Sequence, residues 1–587
     1  MQLDLDRLPF SRRESNLVIS RAFSEQIGEV GRYYLRHVYN GSHRRVFELS
    51  AGDNDSSSPP HATAIPERFE LGNAVGSVDI AMPAPNELRI RCRGIRLRMT
   101  ATGPRWKLMI PAGENRWRSI IGDCKLLWQP IRGELEVNAP WRPASGQAHR
   151  HHGCEPIEVT LGRDAEIAVT CYESECHPKT AFTSFDQAVE DVRHDFDAWL
   201  TACPATPPKF QRGRHQAAYL GWSSVVPASG NFDHPAMLMS KNWMVRVWNW
   251  DNYFNAWASA YRDPGFAWRQ FLLYFQHQHP TGALGDGITE KSIGWAFAKP
   301  PVHAWVLRRM MEITPAIGED LDRLAEIYEP LVRSTEWWFN YRDDDRDGIC
   351  QYHHGNDSGW DDATAFDAGA PTEMPDLSAL LVLQMDVLSQ LAKRLGRIED
   401  VQSWSRRSRS TLDKLIRHSW RDGRFVSMQS GTHRVSQGES LLNSMPLVLG
   451  RLLPTEVLDS LTAMVMDEDR FLTPWGLATE AINSDQFLPT GYWRGAVWPP
   501  AVLMIVDGLA DAGRVDQAAE ITRRFANLCA THGFAENFNP LTGTPHYDPA
   551  YTWCSSVWQI LVTRMCENRG KYVSPCDQSR IVSYGDA

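Results

Sequence analysis

The 587-residue chain opens without a basic stretch followed by an apolar one: Met1-Gln2-Leu3-Asp4-Leu5-Asp6-Arg7 places acids where a secretory leader needs cations. No apolar run is long enough to span a bilayer. A disulfide framework is missing too. Eleven cysteines, an odd number, are scattered, with Cys171 and Cys176 the closest pair. That usage fits free thiols in a reducing compartment, so a cytoplasmic location is expected. There is no excess of positive charge either: the net charge of −10 argues against nucleic acid or an anionic membrane as partner. No sequence repeat of solenoid type is evident. His149, His151, His152 and Cys154, beside Gly146 and Gly153, match no standard metal spacing and read as a surface loop.

What is present is aromatic. Apolar residues make up 43% and charged residues 22%, as in a folded globular protein, and the length calls for two domains. Of 23 tryptophans, 18 follow residue 205. Indoles fill cores, and they also stack on sugar rings.

Residues 1–182 read as β. Leu88, Ile90 and Cys92 alternate with Glu87, Arg89, Arg91 and Arg93, and Ile95, Leu97 and Met99 alternate with Arg96, Arg98 and Thr100. Similar runs at 134–137, 157–161 and 166–171, separated by turn residues, predict an antiparallel β-sandwich. Ser56-Ser57-Ser58-Pro59-Pro60 reads as a loop tip. Residues 183–208 are expected as a linker helix, with Phe185, Val189, Val192, Phe196 and Trp199 on one face, then a Pro-rich junction at 203–208. From 209 to 587 the period is helical, with candidates at 264–277, 300–311, 320–340, 376–395, 401–420, 454–466, 495–512, 515–532 and 551–566. Helices without a fixed repeat favour a toroid whose pocket is built by loops at one end.

Six loops could carry chemistry. Tyr352-His353-His354-Gly355-Asn356-Asp357-Ser358-Gly359-Trp360-Asp361-Asp362 holds acids beside an indole. Segment 242–254 contains Trp248, Trp250 and Asp251; 277–282 contains His279; 298–303 contains Lys299 and His303. Tyr492-Trp493-Arg494-Gly495-Ala496-Val497-Trp498 sets an arginine between indoles, and Glu536 precedes a turn at Asn539-Pro540. Carboxyls framed by Trp suit glycoside hydrolysis, in which burial raises the pKa of one acid so that it can protonate the leaving oxygen. A second carboxylate must then activate water or attack. Each group also has a structural alternative: Asp251 as a helix cap, Arg494 as an ion-pair partner, Glu536 as a surface acid.

These loops resemble, in the same chain order, those of glycoside hydrolase family 63. That family includes processing α-glucosidase I, bacterial α-glucosidases, and mannosylglycerate and glucosylglycerate hydrolases. Asp357-Ser358-Gly359-Trp360-Asp361-Asp362 is similar to its Glu-Ser-Gly-Trp-Asp-Asn signature. Trp248-Asn249-Trp250-Asp251 resembles its Trp-x-Trp-Asp loop, and Lys299-Pro300-Pro301 its Gln-Pro-Pro. Segment 492–498 resembles Tyr-Trp-Arg-Gly-Pro-Val-Trp, and 536–543 resembles Glu-Asn-Tyr-Asn-Pro-x-Thr-Gly.

The resemblance implies an (α/α)6 barrel and inversion at the anomeric carbon. Asp361 would be the general acid and Glu536 the general base, with carboxyls roughly 6.5–9.5 Å apart. Trp250, Asp251 and Arg494 would bind the sugar, with Trp360, Trp493 and Trp498 as walls; Trp248, Tyr492, His279 and Lys299 complete the expected binding set. The expected activity is an exo-acting α-glucosidase on a small glucoside, needing neither cofactor nor metal. Three departures stand out: Asp357 for Glu, Asp362 for Asn, and Lys299 for Gln, the last suiting either a salt bridge or an anionic aglycone such as glycerate. A trehalase-like hydrolase and a sugar epimerase using His279, His303 or His354 are the alternatives. The acidic run Asp343-Asp344-Asp345-Arg346-Asp347-Gly348 resembles half of a calcium loop but lacks the later Glu, and is expected as a solvated turn.

Overall fold

The computed structural model describes residues 1–21, 32–52, 61–103, 107–143 and 153–567. Ser56–Pro60 and His149, His151 and His152 lie outside them. Cys154, from the same stretch, is buried and pairs with Trp141 in a two-stranded ladder.

The N-terminal part is strand-rich. A six-stranded antiparallel sheet and an eight-stranded one pack face to face, with Phe47 of the first edge-on to Trp128 of the second at 5.1 Å. Strand Leu97–Ala101 follows the alternation read from sequence: Leu97, Met99 and Ala101 point inward while Arg98 and Thr100 do not. Strand Glu87–Arg93 departs from it, because Glu87 and Arg89 are buried on the outer face. The cause is the linker helix α1 (Phe185–Ala202), which covers that face. Arg91 sits over the Phe185 ring at 4.2 Å, and Arg89 pairs with Glu166 beneath the 182–186 segment. Helix α1 starts at Ser184, whose hydroxyl accepts the Gln187 N–H. It buries Phe185, Ala188, Val192, Phe196 and Trp199, each large side chain contributing about 1.5–3 kcal/mol.

Beyond it the chain is helical, and the predicted helices appear within a few residues of their expected ends, as in Pro264–Gln276, Leu321–Tyr341 and Val515–His532. Sequence periodicity missed two α-helices of more than ten residues. Gln211–Ser223 has little hydrophobic contrast around its axis, and α2 (Asn249–Ala260) is buried on every side. Short two- and three-stranded ladders between helices, such as Val247–Trp248 with Gly287–Ile288, shape the loops where no strands were expected.

The two parts are joined by buried polar contacts. The Lys241 ammonium, 1% exposed, donates to the carbonyls of Arg12, Ser15 and Val225 at 2.6–3.2 Å and to the Ser11 hydroxyl at 3.2 Å. Arg36 donates to the Asn242 carbonyl, and Asn242 donates to the Arg7 carbonyl at 3.2 Å. No described helix is long and apolar enough to cross a membrane.

Candidate active site

Four loops preceding helices, together with the turn after Val515–His532, bring the acids together. Asp251 lies in the first turn of α2, behind Trp248 and Trp250. Lys299 precedes α3 (His303–Ile313), and Tyr492–Trp498 leads into α4 (Pro499–Asp511). Glu536 and Tyr551 precede α5 (Thr552–Glu567). The 352–362 loop then closes over this group.

That loop is fixed by its glycines. A Cβ on Gly355 would lie 2.0 Å from the Asp361 carbonyl. Gly359 has φ +71°, and a Cβ there would meet the Trp250 ring at 2.6 Å. Only glycine fits either position. Asp357, the shortened acid of the signature, is 1% exposed and braces the loop: its carboxylate accepts the N–H of Ala298 at 2.7 Å and of His353 at 2.8 Å. The extra acid, Asp362, accepts the Trp493 N–H at 2.7 Å, and its carbonyl accepts from Arg494 at 2.8 Å. Arg494 also reaches Asp367 at 3.2 Å, so its guanidinium ties two loops together.

The indoles pack on one another. Trp493 and Trp498 stack at 3.8 Å, Trp360 lies 4.6 Å from Trp493, and Trp250 lies 6.1 Å from Trp493 and 5.7 Å from Trp553. Trp360, Trp493 and Trp498 are all but fully buried, and form a rigid layer rather than an open platform. Trp248 is partly exposed, with Arg246 over its ring at 5.0 Å.

Three carboxyls share this environment. Glu536 is 2% exposed and its Oε1 accepts the Tyr492 hydroxyl at 2.6 Å. Burial pushes its carboxyl up to about 8 against that hydrogen bond, with Asp548 and Asp251 adding negative charge. Asp251, 3% exposed, accepts the Tyr551 hydroxyl at 2.9 Å, and burial raises it to about 7. Asp361 is raised by burial and by Asp362, opposed by Lys299 and His354. Burial raises the Tyr492 hydroxyl, and the charges of Glu536, Asp361 and Asp251 raise it further. Lys299 donates to the Asn356 carbonyl, and its ammonium lowers Asp251, Asp286 and Asp361 alike. It is the counter-charge of the cluster.

The histidines stand apart. His279 is exposed in a turn, bonded to Thr281 at 2.9 Å and edge-on to Trp295. His303 is buried edge-on to Tyr253 at 4.5 Å, and burial pushes its ring down to about 3. His354 caps the short turn 355–358 through its Nδ1. Sequence reasoning missed Tyr551, Trp553 and Asp548. The first two read as helix; their signal was the polar-aromatic spelling Tyr551-Thr552-Trp553 at a helix start.

A second polar cluster lies at the root of the loop. The acidic run is no free turn: Asp345 accepts the Gly431 N–H at 2.9 Å. Asp347, Glu373, His418 and His433 can each direct a ligand atom within 4.8 Å of the others, with His418 Nε2 2.7 Å from Glu373. The set could hold a divalent cation.

Comparison with known proteins agrees with this geometry. Residues 244–554 match the family model described as the mannosylglycerate hydrolase MGH1-like glycoside hydrolase domain. The mannosylglycerate hydrolase of Thermus thermophilus is 23% identical over 53% of this chain and 92% of its own. The glucosylglycerate hydrolase of Mycolicibacterium hassiacum is 20% identical over 47% and 77%. An uncharacterized Saccharomyces cerevisiae protein is 26% identical over 38% of this chain, which spans about a fifth of that relative's length. Among solved structures, the glycoside hydrolase family 63 mannosylglycerate hydrolase from Thermus thermophilus in complex with glucose superposes with a TM-score of 0.51 (21% identity, 59% of this chain and 98% of that one). A bacterial glucoamylase complexed with acarbose covers 96% of this chain and 95% of its own, with a TM-score of 0.60 and 11% identity. Since the matched segment takes in more than half of the chain and all the carboxyls described above, this protein belongs to the MGH1-like glycoside hydrolases of family 63.

Proposed function

We propose that the protein is an inverting, exo-acting α-glycosidase on a small α-glucoside of disaccharide or glycosylglycerate type, working in an (α/α)6 toroid. The observation that carries the reading is that Glu536 and Asp251 are buried against the Tyr492 and Tyr551 hydroxyls, Asp361 shares the Lys299 ammonium with Asp251, and among the described residues no guanidinium pairs with any of the three. A carboxyl kept uncharged by burial can donate its proton to a glycosidic oxygen. Asp361 would protonate that oxygen, Glu536 would take a proton from water on the opposite face, and Asp251 would hold sugar hydroxyls. Ring closure is supported by the last helix meeting an early one: Ser556 donates to Asn255 at 2.7 Å, and Asn255 donates to Thr552 at 2.9 Å. A glycerate-type aglycone is supported by the named activities of the Thermus and Mycolicibacterium relatives.

One observation favours a second reading in which the two acids exchange roles. Glu536 is pushed to about 8, as a proton donor needs, while Lys299 opposes the rise of Asp361, as suits a base. A glycosyl fluoride separates them, because fluoride leaves without protonation. In the first reading Asp361→Asn keeps turnover of the fluoride and Glu536→Gln loses it; the reverse pattern establishes the exchange. Proton NMR of the first-formed anomer tests inversion, and a panel of α-linked disaccharides and glycosylglycerates tests the substrate. A retained anomer would end the inverting mechanism under either assignment.

A further inference from the structure

The strand-rich part carries a cluster that the hydrolase reaction does not use. His37 lies on β1 (Tyr33–Tyr39) of the six-stranded sheet. Cys124 opens β2 (Cys124–Arg132) and Cys171 lies near the end of β3 (Glu166–Tyr172), neighbouring strands of the eight-stranded sheet. One ligand atom from each comes within 4.8 Å of the others. His37 and Cys124 are buried; Cys171 is partly exposed, which leaves an approach from solvent.

Strand register decides what this trio can become. Leu126 is directly opposite Cys171, so Cys124 is its diagonal neighbour, two residues along on the same face. Diagonal pairs have Cα atoms about 7–8 Å apart. A disulfide needs about 4.4–6.8 Å, so the bridge would require the strands to shift. A metal ion asks for less proximity: with zinc–sulfur bonds of about 2.3 Å, two thiolates on one tetrahedral ion are about 3.8 Å apart.

We propose that His37, Cys124 and Cys171 form a binding site for a thiophilic divalent ion of the zinc class, with the fourth position left to water on the Cys171 side. Two thiolates and one neutral imidazole around a dication make an uncharged unit, which a mostly buried site tolerates. Both thiols lose their protons as the ion enters. The ion would fasten β1 to the hairpin at Ile121–Cys124 where the sandwich meets the 286–294 loop. There the Asn40 N–H donates to Glu290 at 2.7 Å, and Lys291 lies 3.7 Å from Asp123.

The test uses the reduced full chain, stripped by chelation and titrated with Co2+. A thiolate-to-cobalt charge-transfer band and intense tetrahedral visible bands should saturate at one ion per chain and bleach when Zn2+ is added. Cys124→Ser and Cys171→Ser should each remove the charge-transfer band and His37→Ala should weaken binding, while Cys176→Ser and Cys529→Ala leave the spectrum unchanged. Absence of the band in the unsubstituted protein, or its survival in the Cys124/Cys171 double variant, overturns the site. Should these variants fail to fold, the unsubstituted chain still decides: Zn2+ should slow alkylation of Cys124 and Cys171 by about tenfold or more, read peptide by peptide. Equal labelling with and without Zn2+, or a Cys124–Cys171 cross-linked peptide from protein purified without reductant, overturns it as well.

Discussion

Three of the four helices that begin at the active site, α3, α4 and α5, also meet at another buried carboxylate, Asp507, and the two ends solve opposite problems. Asp507 lies on α4 nine residues past Trp498, about 13 Å along the helix. Its carboxylate accepts the Trp305 indole N–H at 2.7 Å and ion-pairs with Arg309 of α3 and Arg564 of α5, at 2.9 and 2.8 Å. Burial pushes that carboxyl up, but the two guanidiniums override it and hold the group down at about 2. At the loop end, burial is answered by hydroxyls from Tyr492 and Tyr551 and by one shared ammonium, and Glu536 and Asp251 rise to about 8 and 7. The same desolvation thus locks a charge at one end and holds protons on acids at the other. What differs is whether an arginine is within reach.

The largest effect should fall on the proton-bearing end. Asp361→Asn and Glu536→Gln should each lower kcat on a natural glycoside by about 10²–10⁴-fold or more with no loss of melting temperature. A large loss of Tm alongside kcat would mean that the acids serve the fold, and the contrast would collapse. Asp507→Asn should do the reverse. It takes away the carboxylate that Arg309 and Arg564 share, leaving Arg309 with Glu312 at 2.7 Å, and should cost about 3–5 kcal/mol in denaturant unfolding, with near-normal kcat for the molecules that remain folded.

Gly359→Ala should lie between these. Its Cβ meets an indole already backed by Trp493 and Trp553, so a cost of about 2–4 kcal/mol is expected, together with a drop in kcat as the loop bearing Asp361 shifts. Wild-type activity and Tm would show that Trp250 can yield.

Stability against pH should separate the ends in sign. Asp507, depressed in the folded state, contributes stability that is lost as pH falls from about 4 towards 2. Asp251 and Glu536, raised in the folded state, favour folding most below about 4 and lose that contribution as pH rises towards 7–8. Urea midpoints should therefore drift down across neutral pH in the native protein and stay flat in an Asp251→Asn/Glu536→Gln variant. The smallest change is expected from Tyr492→Phe. Without the hydroxyl, the Glu536 carboxyl rises further, and the limb of the kcat/KM profile that it controls should move up by about one unit. Movement of the acid limb marks Glu536 as base; movement of the alkaline limb marks it as acid.

Much of this was legible because it is local. Alternation located the strands, three-and-four spacing located the helices, and glycines within a polar-aromatic segment marked the 352–362 loop. The roles inside that loop were less legible. Asp357 and Asp361 are both acids in one motif, and only the fold turns the first inward as a brace for Ala298 and His353. Tyr551 meets Asp251 across 300 residues, and Asn242 meets Asp548 across 306, pairings that no window of sequence can display. Trp360, Trp493 and Trp498 were expected as walls of the sugar pocket, and nothing in the sequence showed that they use their faces on each other. His279 sits in an exposed turn because its neighbours Pro280 and Gly282 shape that turn, whatever the ligand.

The ammonium of Lys241 ties the opening residues of the chain to the body of the enzyme. Three of its four partners are backbone oxygens, which a substitution at residues 12, 15 or 225 cannot delete. Peeling the first sixteen residues away would leave a cation in a dry interior with most of its acceptors gone. The leading strands and the hydrolase body should accordingly melt in one transition, and trimming the N-terminus should cost the catalyst its solubility before it costs it any chemistry.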